Sequence, residues 1–372
     1  MTFLPYRVAG KVSSPLGKKN KKAAWFWVAV MALLIFAFFK NLKFYQAGLF
    51  NPNFSIIHEA FDFNFGLMPL LMASFAFLCF VFKLPTGARC GWAAFWILFL
   101  TLDLIVLRFY MTKIEPFRLE VRTIQILTPK LTEPIRIVHL SDIQAASVTE
   151  YEHAIFERVQ SLKPDMLINT GDFLQVASPA KFEDEFPKLM KLMRNVEARY
   201  GSFAVFGDTD LNLYSLQMSE LEPIKMLSSR SQTIQTNGGL ISLHGLSLYQ
   251  SKEGDWALRS IEQWCKEADI QAFKILIGHA PDFALAVGKY PIDLCLAGHT
   301  HGGQIRLPFW GPLVIDSAVP KAWSRGTTRI GVPLLNVSAG AGSNRFGGLP
   351  RLRFNCPTEL TLIELIPSLN IR

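Results

Sequence analysis

The sequence predicts an α/β domain preceded by membrane-spanning helices, and three observations carry that reading. Half of the 372 residues are hydrophobic and the mean hydropathy is positive, too apolar for an ordinary soluble protein. Three long apolar runs crowd the first 110 residues. From about Leu119 onward, short apolar runs alternate with segments of helical period, and several of those runs stop at Gly or Ser beside Asp or His.

The N-terminal end is a basic tail, 1–22. The net charge of +8 sits mostly on Arg7, Lys11, Lys18, Lys19, Lys21, Lys22 and Lys40, ahead of the first acid, Glu59. The remainder is almost neutral, so no basic nucleic-acid-binding face is expected. A lysine cluster directly before an apolar run reads instead as a flank drawn to anionic lipid. The runs Ala23–Phe39, Gly66–Phe82 and Gly91–Tyr110 make a membrane region, 23–112, of about three spans. The first is about 17 to 20 residues long, just enough to cross a bilayer. It is too bulky, and lacks the small-x-small site, for a cleaved signal peptide. Three spans put the termini on opposite faces, and the N-terminal lysines favour an inside start. Arg108 at the end of the third run and Lys113, Arg118 and Arg122 after it offset that count, so charge alone does not choose the face of the following domain; with one run re-entrant or interfacial, that domain returns to the cytoplasmic side. The five cysteines (Cys79, Cys90, Cys265, Cys295, Cys356) are scattered, with neither a Cys-x-x-Cys pair nor a disulfide framework.

In the third segment, 119–372, Ile135–Leu140 reads as a buried strand ending at Ser141-Asp142. Apolar positions at Ala154, Ile155, Val159 and Leu162 predict a helix over Glu150–Leu162, stopped by Pro164. Met166–Ile168 is a strand ending at Gly171-Asp172, Phe186–Ala198 a helix, and Ser202–Phe206 a strand ending at Gly207-Asp208. Phe273–Ile277 ends at Gly278-His279. Ile292–Ala297 ends at Gly298-His299-Thr300-His301, where i, i+2 spacing on extended backbone sends both imidazoles to one side.

Any single Asp after a strand reads first as a turn or helix cap. Five strand ends that all supply carboxylate or imidazole are hard to explain that way, because in layered α/β folds strand ends converge on one mouth. That donor set suits two divalent ions, Mn with Fe or Zn as alternatives, able to activate water and stabilise an in-line displacement at phosphorus. His139, inside a strand, and His244, inside the apolar stretch 240–248, read as core histidines. Arg345, Arg351 and Arg353 read either as surface residues or as contacts to a phosphate or lipid head group.

These motifs resemble the calcineurin-like metallophosphoesterases, whose strand ends carry Asp-x-His, Gly-Asp-x-x-Asp, Gly-Asn-His-Asp or Glu, a lone His, and Gly-His-x-His in that order. The resemblance covers roughly Arg136 to the C-terminus. It points to the bacterial membrane-anchored branch through Gly298-His299-Thr300-His301-Gly302-Gly303-Gln304-Ile305, Pro350–Phe354 and Pro357–Leu360. It implies a four-layer α/β sandwich in which Asp142, Gln144 and His301 hold a first metal, Asp172 bridges both, and Asp208, His279 and His299 hold the second. Asp172, Asp208 and Asp210 are the expected catalytic carboxylates. The chain departs from the pattern at Gln144 for His, Gln175 for the trailing Asp, Asp208 for Asn, and Thr209 for the His that protonates the leaving group. Thr is no general acid near pH 7, which favours a leaving group that is itself a phosphate.

The resemblance therefore implies a membrane-bound hydrolase acting on a lipid-linked phosphate. The specific expectation is cleavage of the pyrophosphate of UDP-2,3-diacylglucosamine, a lipid A step, at the cytoplasmic face of the bacterial inner membrane, with no nucleic-acid partner. The alternatives are a broad phosphodiesterase or lipid phosphatase and, from another class, a degenerate domain that binds lipid or a partner without turnover.

Overall fold

The structure, a computed structural model, describes residues 16–50, 54–81, 88–345 and 349–368; the basic tail as far as residue 15 lies outside them. The chain divides into two compact units, Met1–Phe50 with Glu59–Arg108, and Asn51–His58 with Phe109–Arg372.

In the first unit the apolar runs are helical. Three segments, Ala24–Gly48, Phe54–Val81 and Trp92–Phe117, are long and apolar enough to cross a membrane by length and composition. The second begins earlier than the run that predicts it, because Phe54–Asp62 is already helical and continues through a π-helical stretch, Phe63–Leu67. Inside this unit Asn41 and Asn64 exchange reciprocal amide hydrogen bonds of 3.0 and 2.7 Å. Such a pair satisfies two polar side chains where apolar neighbours offer no partner.

The second unit holds two six-stranded sheets and a small ribbon. In chain order the strands are β1 (Leu119–Thr128), β2 (Ile135–Leu140), β3 (Met166–Asn169), β4 (Ser202–Ala204), β5 (Ile224–Met226), β6 (Arg230–Thr236), β7 (Gly239–Gly245), β8 (Phe273–Ile277), β9 (Leu294–Ala297), β10 (Arg306–Leu307), β11 (Gly311–Pro312), β12 (Gly326–Arg329), β13 (Leu334–Val337) and β14 (Thr358–Pro367). The first sheet runs β1-β14-β2-β3-β4-β5 and the second β12-β13-β9-β8-β7-β6, while β10 and β11 pair separately. Within them β2 to β5 are mutually parallel, as are β7, β8, β9 and β13.

Period-two alternation sorts the apolar runs between layers. Ile135, Ile137, Met166 and Ile168 meet Phe273, Ile275, Ile277, Leu294 and Leu296 between the sheets. The intervening Val138, Leu140 and Leu167 face outward onto Ile155, Val159, Leu189 and Met193 of the helices Glu150–Ser161 and Phe182–Arg194. On the other side Leu276, Cys295 and Ala297 pack on Ala257, Ile261 and Trp264 of the helix Gly254–Glu267. The result is helix, sheet, sheet, helix, the four-layer architecture the resemblance implies. Boundaries moved where caps and turns decide them. The second helix starts at Phe182 rather than Phe186, β4 stops at Ala204 rather than Phe206, and β9 begins at Leu294 rather than Ile292.

Candidate metal centre

Parallel register brings the strand ends level. Leu140 pairs with Asn169, and Asn169 with Ala204, so the segments carrying Asp142, Asp172 and Asp208 leave the first sheet at one edge. Ile277 pairs with Leu296, so His279, His299 and His301 leave the second sheet together.

The six side chains meet there. Asp208, His279 and His299 bring one ligand atom each within 4.8 Å of one another, and Asp142, Asp172 and His279 do the same. Asp208 Oδ2 lies 2.7 Å from His299 Nδ1 and 3.2 Å from His279 Nε2, yet neither approach has hydrogen-bond geometry that satisfies the oxygen. His301 Nε2 is 3.7 Å from Asp142 Oδ1. Gln144, Asp172, Asp208, His299 and His301 line a cavity of about 200 Å³, whose walls also include Phe54, Thr209, Lys252, Asp316 and Asn344.

Each ligand-type group is held by a neighbour that fixes which atom it presents. His279 Nδ1 donates to the Thr170 carbonyl at 2.7 Å, and His299 Nε2 donates to the Asp316 carbonyl at 2.9 Å. A carbonyl can only accept, so each of these nitrogens carries a proton, and Nε2 of His279 and Nδ1 of His299 are the atoms turned toward Asp208. Asp172 accepts from Gln144 Nε2 at 2.6 Å on one oxygen and from the Thr209 main-chain N–H at 2.8 Å on the other. The Asp142 carboxylate takes the His299 N–H at 3.1 Å and the Ser141 hydroxyl. What remains is a set of buried atoms without partners: Gln144 Oε1, Asp208 Oδ2, His279 Nε2 and both ring nitrogens of His301. Buried polar atoms are normally paired, and these oxygen and imidazole donors, gathered at one mouth, fit a pair of divalent cations.

Residues 135–303 match the family model for calcineurin-like phosphoesterases. The chain carries a calcineurin-like phosphoesterase domain. It is 28% identical over 69% of its length to an uncharacterized metallophosphoesterase, YkuE, of Bacillus subtilis, covering 88% of that protein. The phosphodiesterase YaeI of Escherichia coli is 26% identical, over 63% of this chain and 83% of its own. The UDP-2,3-diacylglucosamine pyrophosphatase LpxG of Chlamydia trachomatis is 24% identical, over 62% and 84%. The chain spans 65% and 63% of two further curated metallophosphoesterases it matches. The domain is that of a metal-dependent hydrolase, and divalent metal ions and a phosphoester or pyrophosphate substrate follow from the family.

The electrostatics of the phosphoesterase site call for cations. Burial raises the Asp142 carboxyl to about 6; the nearby His279 opposes that shift and the Asp172 charge adds to it. Burial opposes a charge on His279, but Asp172, Asp208 and Asp142 overcome it and lift the imidazole to about 10. His301 is held well below the usual range by burial and then by Arg353, which leaves a neutral imidazole with its lone pair available. The backbone is strained where the candidate ligands sit. Asp142, Gln144, Asp172, His299 and His301 all have positive φ, between 41° and 66°, a conformation that costs non-glycine residues and clusters at functional sites. Gly207 is required for a different reason, since a Cβ there would overlap Asp172 Oδ1 and crowd His279.

Two expectations need correction. Asp210 does not face the cavity: it is buried, and its oxygens accept the main-chain N–H groups of Asp172, Phe173 and Gly207 at 2.7 to 2.9 Å. A carboxylate so held shapes the turn that carries Asp208 and is turned to the main chain instead of the cavity. Arg351 and Arg353 are neither surface residues nor head-group contacts. Arg351 pairs with Glu152, and Arg353, fully buried, donates to the carbonyls of Ala339, Gly342 and Cys356. His139 and His244 are core histidines as expected, but His139 also belongs to a polar chain that sequence reasoning missed. Arg122 donates to Asn336, Asn336 to His139, His139 to Thr170, Thr170 to Ser141, and Ser141 to Asp142. No local signal marks that chain, since its members come from four separate segments.

Proposed function

We propose that the protein is a membrane-bound phosphohydrolase that cleaves the pyrophosphate of a lipid-linked nucleotide, UDP-2,3-diacylglucosamine, to UMP and the lipid monophosphate. The observation that carries the hydrolase reading is the ring of buried, unpartnered donors around one cavity. Asp142, Gln144, Asp172 and His301 would hold one divalent ion, and Asp172, Asp208, His279 and His299 the other, Mn being our choice. Bound there, the ions supply Lewis acidity toward phosphoryl oxygen and lower the pKa of water.

The chain's own residues favour an anhydride. Thr209 stands where the family places an acid, and a phosphate departs without protonation where an alkoxide does not. Support for an amphiphilic substrate comes from Phe54, a buried apolar side chain in the cavity wall, its ring 5.5 Å from that of His301. Phe54 opens the segment Phe54–Val81, long and apolar enough to cross a membrane. The similarity to LpxG supports the nucleotide, and that substrate requires the domain, from 119 onward, to face the cytoplasm at the bacterial inner membrane.

The test is UMP release from UDP-2,3-diacylglucosamine by the detergent-purified full chain with Mn, beside Asp172→Asn. Release by the parent and a fall of at least about 100-fold in the variant, the scale of losing several kcal/mol of transition-state stabilisation, is the expected result. Two bound metals with no UMP, but turnover of bis(4-nitrophenyl) phosphate, would replace the substrate and favour the phosphodiesterase reading that YaeI suggests. Failure to bind metal would leave a non-catalytic domain.

A further inference from the structure

We infer that Lys252 is a working cation of this site, which cancels the extra charge of Asp208 and receives the negative charge that develops on the departing oxygen. The inference rests on the hydrolase reading above and names a residue outside the ligand set. Lys252 ends the short helix Leu248–Lys252, capped by Ser247. Its position follows from the fold: the buried Ser251 hydroxyl accepts the main-chain N–H of Ala280, the residue after His279, at 3.2 Å.

Lys252 Nζ lies 2.5 Å from Asp208 Oδ1. The other oxygen of the same carboxylate turns to His299 and His279. Asp208 thus divides its two oxygens, one toward the imidazoles and one to the ammonium. An Asp in place of the pattern's Asn adds one negative charge, and Lys252 returns the site to the charge an uncharged Asn would leave. Among the described residues lining the cavity, Lys252 is the one lysine or arginine.

An ammonium has three N–H donors. One is engaged by Asp208, and two remain for a phosphoryl oxygen. In the reaction the oxygen of water bonds to phosphorus, the bond to the bridging oxygen breaks, and its electron pair stays on the departing phosphate while the water proton passes to solvent. Lys252, its side chain 41% exposed at the cavity mouth, keeps its own proton throughout and acts as a positive charge placed where charge develops. It thereby takes the electrostatic part of what a histidine at position 209 would do and leaves the proton-donating part undone. The consequence is selectivity: good leaving groups are cleaved and alkoxides are not.

The experiment compares Lys252→Met, Lys252→Arg and the double variant Lys252→Met with Asp208→Asn in the full-length protein, with two readouts. Calorimetric titration of Mn into the stripped proteins should show Lys252→Met binding about tenfold more tightly, since a unit charge close to the ions is gone, and the double variant returning toward the parent. Hydrolysis of aryl phosphodiesters of graded leaving-group acidity should show a steeper dependence in Lys252→Met, the poorest leaving group losing most, with Lys252→Arg restoring the parent slope. An unchanged Mn affinity together with an unchanged slope overturns the inference, and shows a lysine that merely fills the place of a cation. The hydrolase reading fails separately, if the parent binds two metals and turns over none of the series; the Mn titration alone then decides whether Lys252 balances Asp208.

Discussion

The two sheets reach the site with opposite chemistry. The first delivers carboxylates, Asp142, Asp172 and Asp208, and the second delivers imidazoles, His279, His299 and His301. Each edge is oriented in part by the other. His279 is aimed by a carbonyl of the first sheet's Thr170 loop, and Asp142 is held by the main-chain N–H of His299 from the second. The chain from Asn336 through His139 to Asp142 crosses the sandwich in the same way. The site is therefore a property of the packed pair of sheets, and anything that weakens it should be felt as loss of stability as well as loss of turnover.

The strongest break in that comparison is removal of the ions. The carboxylates of Asp142, Asp172 and Asp208 crowded at one mouth are costly without cations, so metal binding is linked to folding. A ligand held at a hundred times its dissociation constant stabilises by roughly 2.7 kcal/mol per site, and a domain of this size shifts by about 2–4 °C per kcal/mol. Chelation should lower the melting temperature of the detergent-solubilised protein by about 5–10 °C per tightly held ion, and Mn should restore it. A melting curve indifferent to chelator would mean that the edges hold together without metal.

Replacing His139 by Leu cuts the cross-sheet chain without touching a ligand. Asn336 and Thr170 lose a buried partner, which costs about 1–3 kcal/mol, and a supporting contact of a metal ligand is worth about 10- to 100-fold in affinity. Both a lower melting temperature and weaker Mn binding are expected. Unchanged Mn affinity with reduced stability would make the chain purely structural.

Most of the scaffold, and the cluster of carboxylates and imidazoles at its mouth, was legible in the sequence because buried parallel strands are continuous apolar runs whose ends carry those residues. Ile135–Leu140 and Phe273–Ile277 appear at the residues read. What escaped depends on contacts between distant segments. Phe54 meets a histidine nearly 250 positions away, and Lys252 reaches Asp208 only because Ser251 is tied to Ala280. The Asp316 carbonyl aims His299 from a loop with no motif. Asp210 misled because an acid two residues from a ligand position looks functional, while three main-chain N–H groups had a prior claim on it.

The smallest effect should come from His244, which lies in the second sheet but not at the site. It stacks on Trp264 with ring centroids 5.2 Å apart and bonds Ser231 and Ser260. Burial lowers its pKa to about 4. The unfolded chain, with an ordinary value near 6.5, then binds more protons than the folded one between those limits. Stability from this group is therefore complete above about pH 6.5 and is lost as pH falls toward 4, by about 1.4 kcal/mol at pH 5.5. His244→Phe removes that loss while keeping the stack, so its denaturation midpoint should fall less between pH 7.5 and 5.5 than the parent's, with Mn affinity and turnover unchanged. A His139 variant differs from it only in reaching Asp142. If both histidines altered metal binding equally, the seam between the sheets would not be what sets the ligands, and the contrast between their edges would lose its meaning.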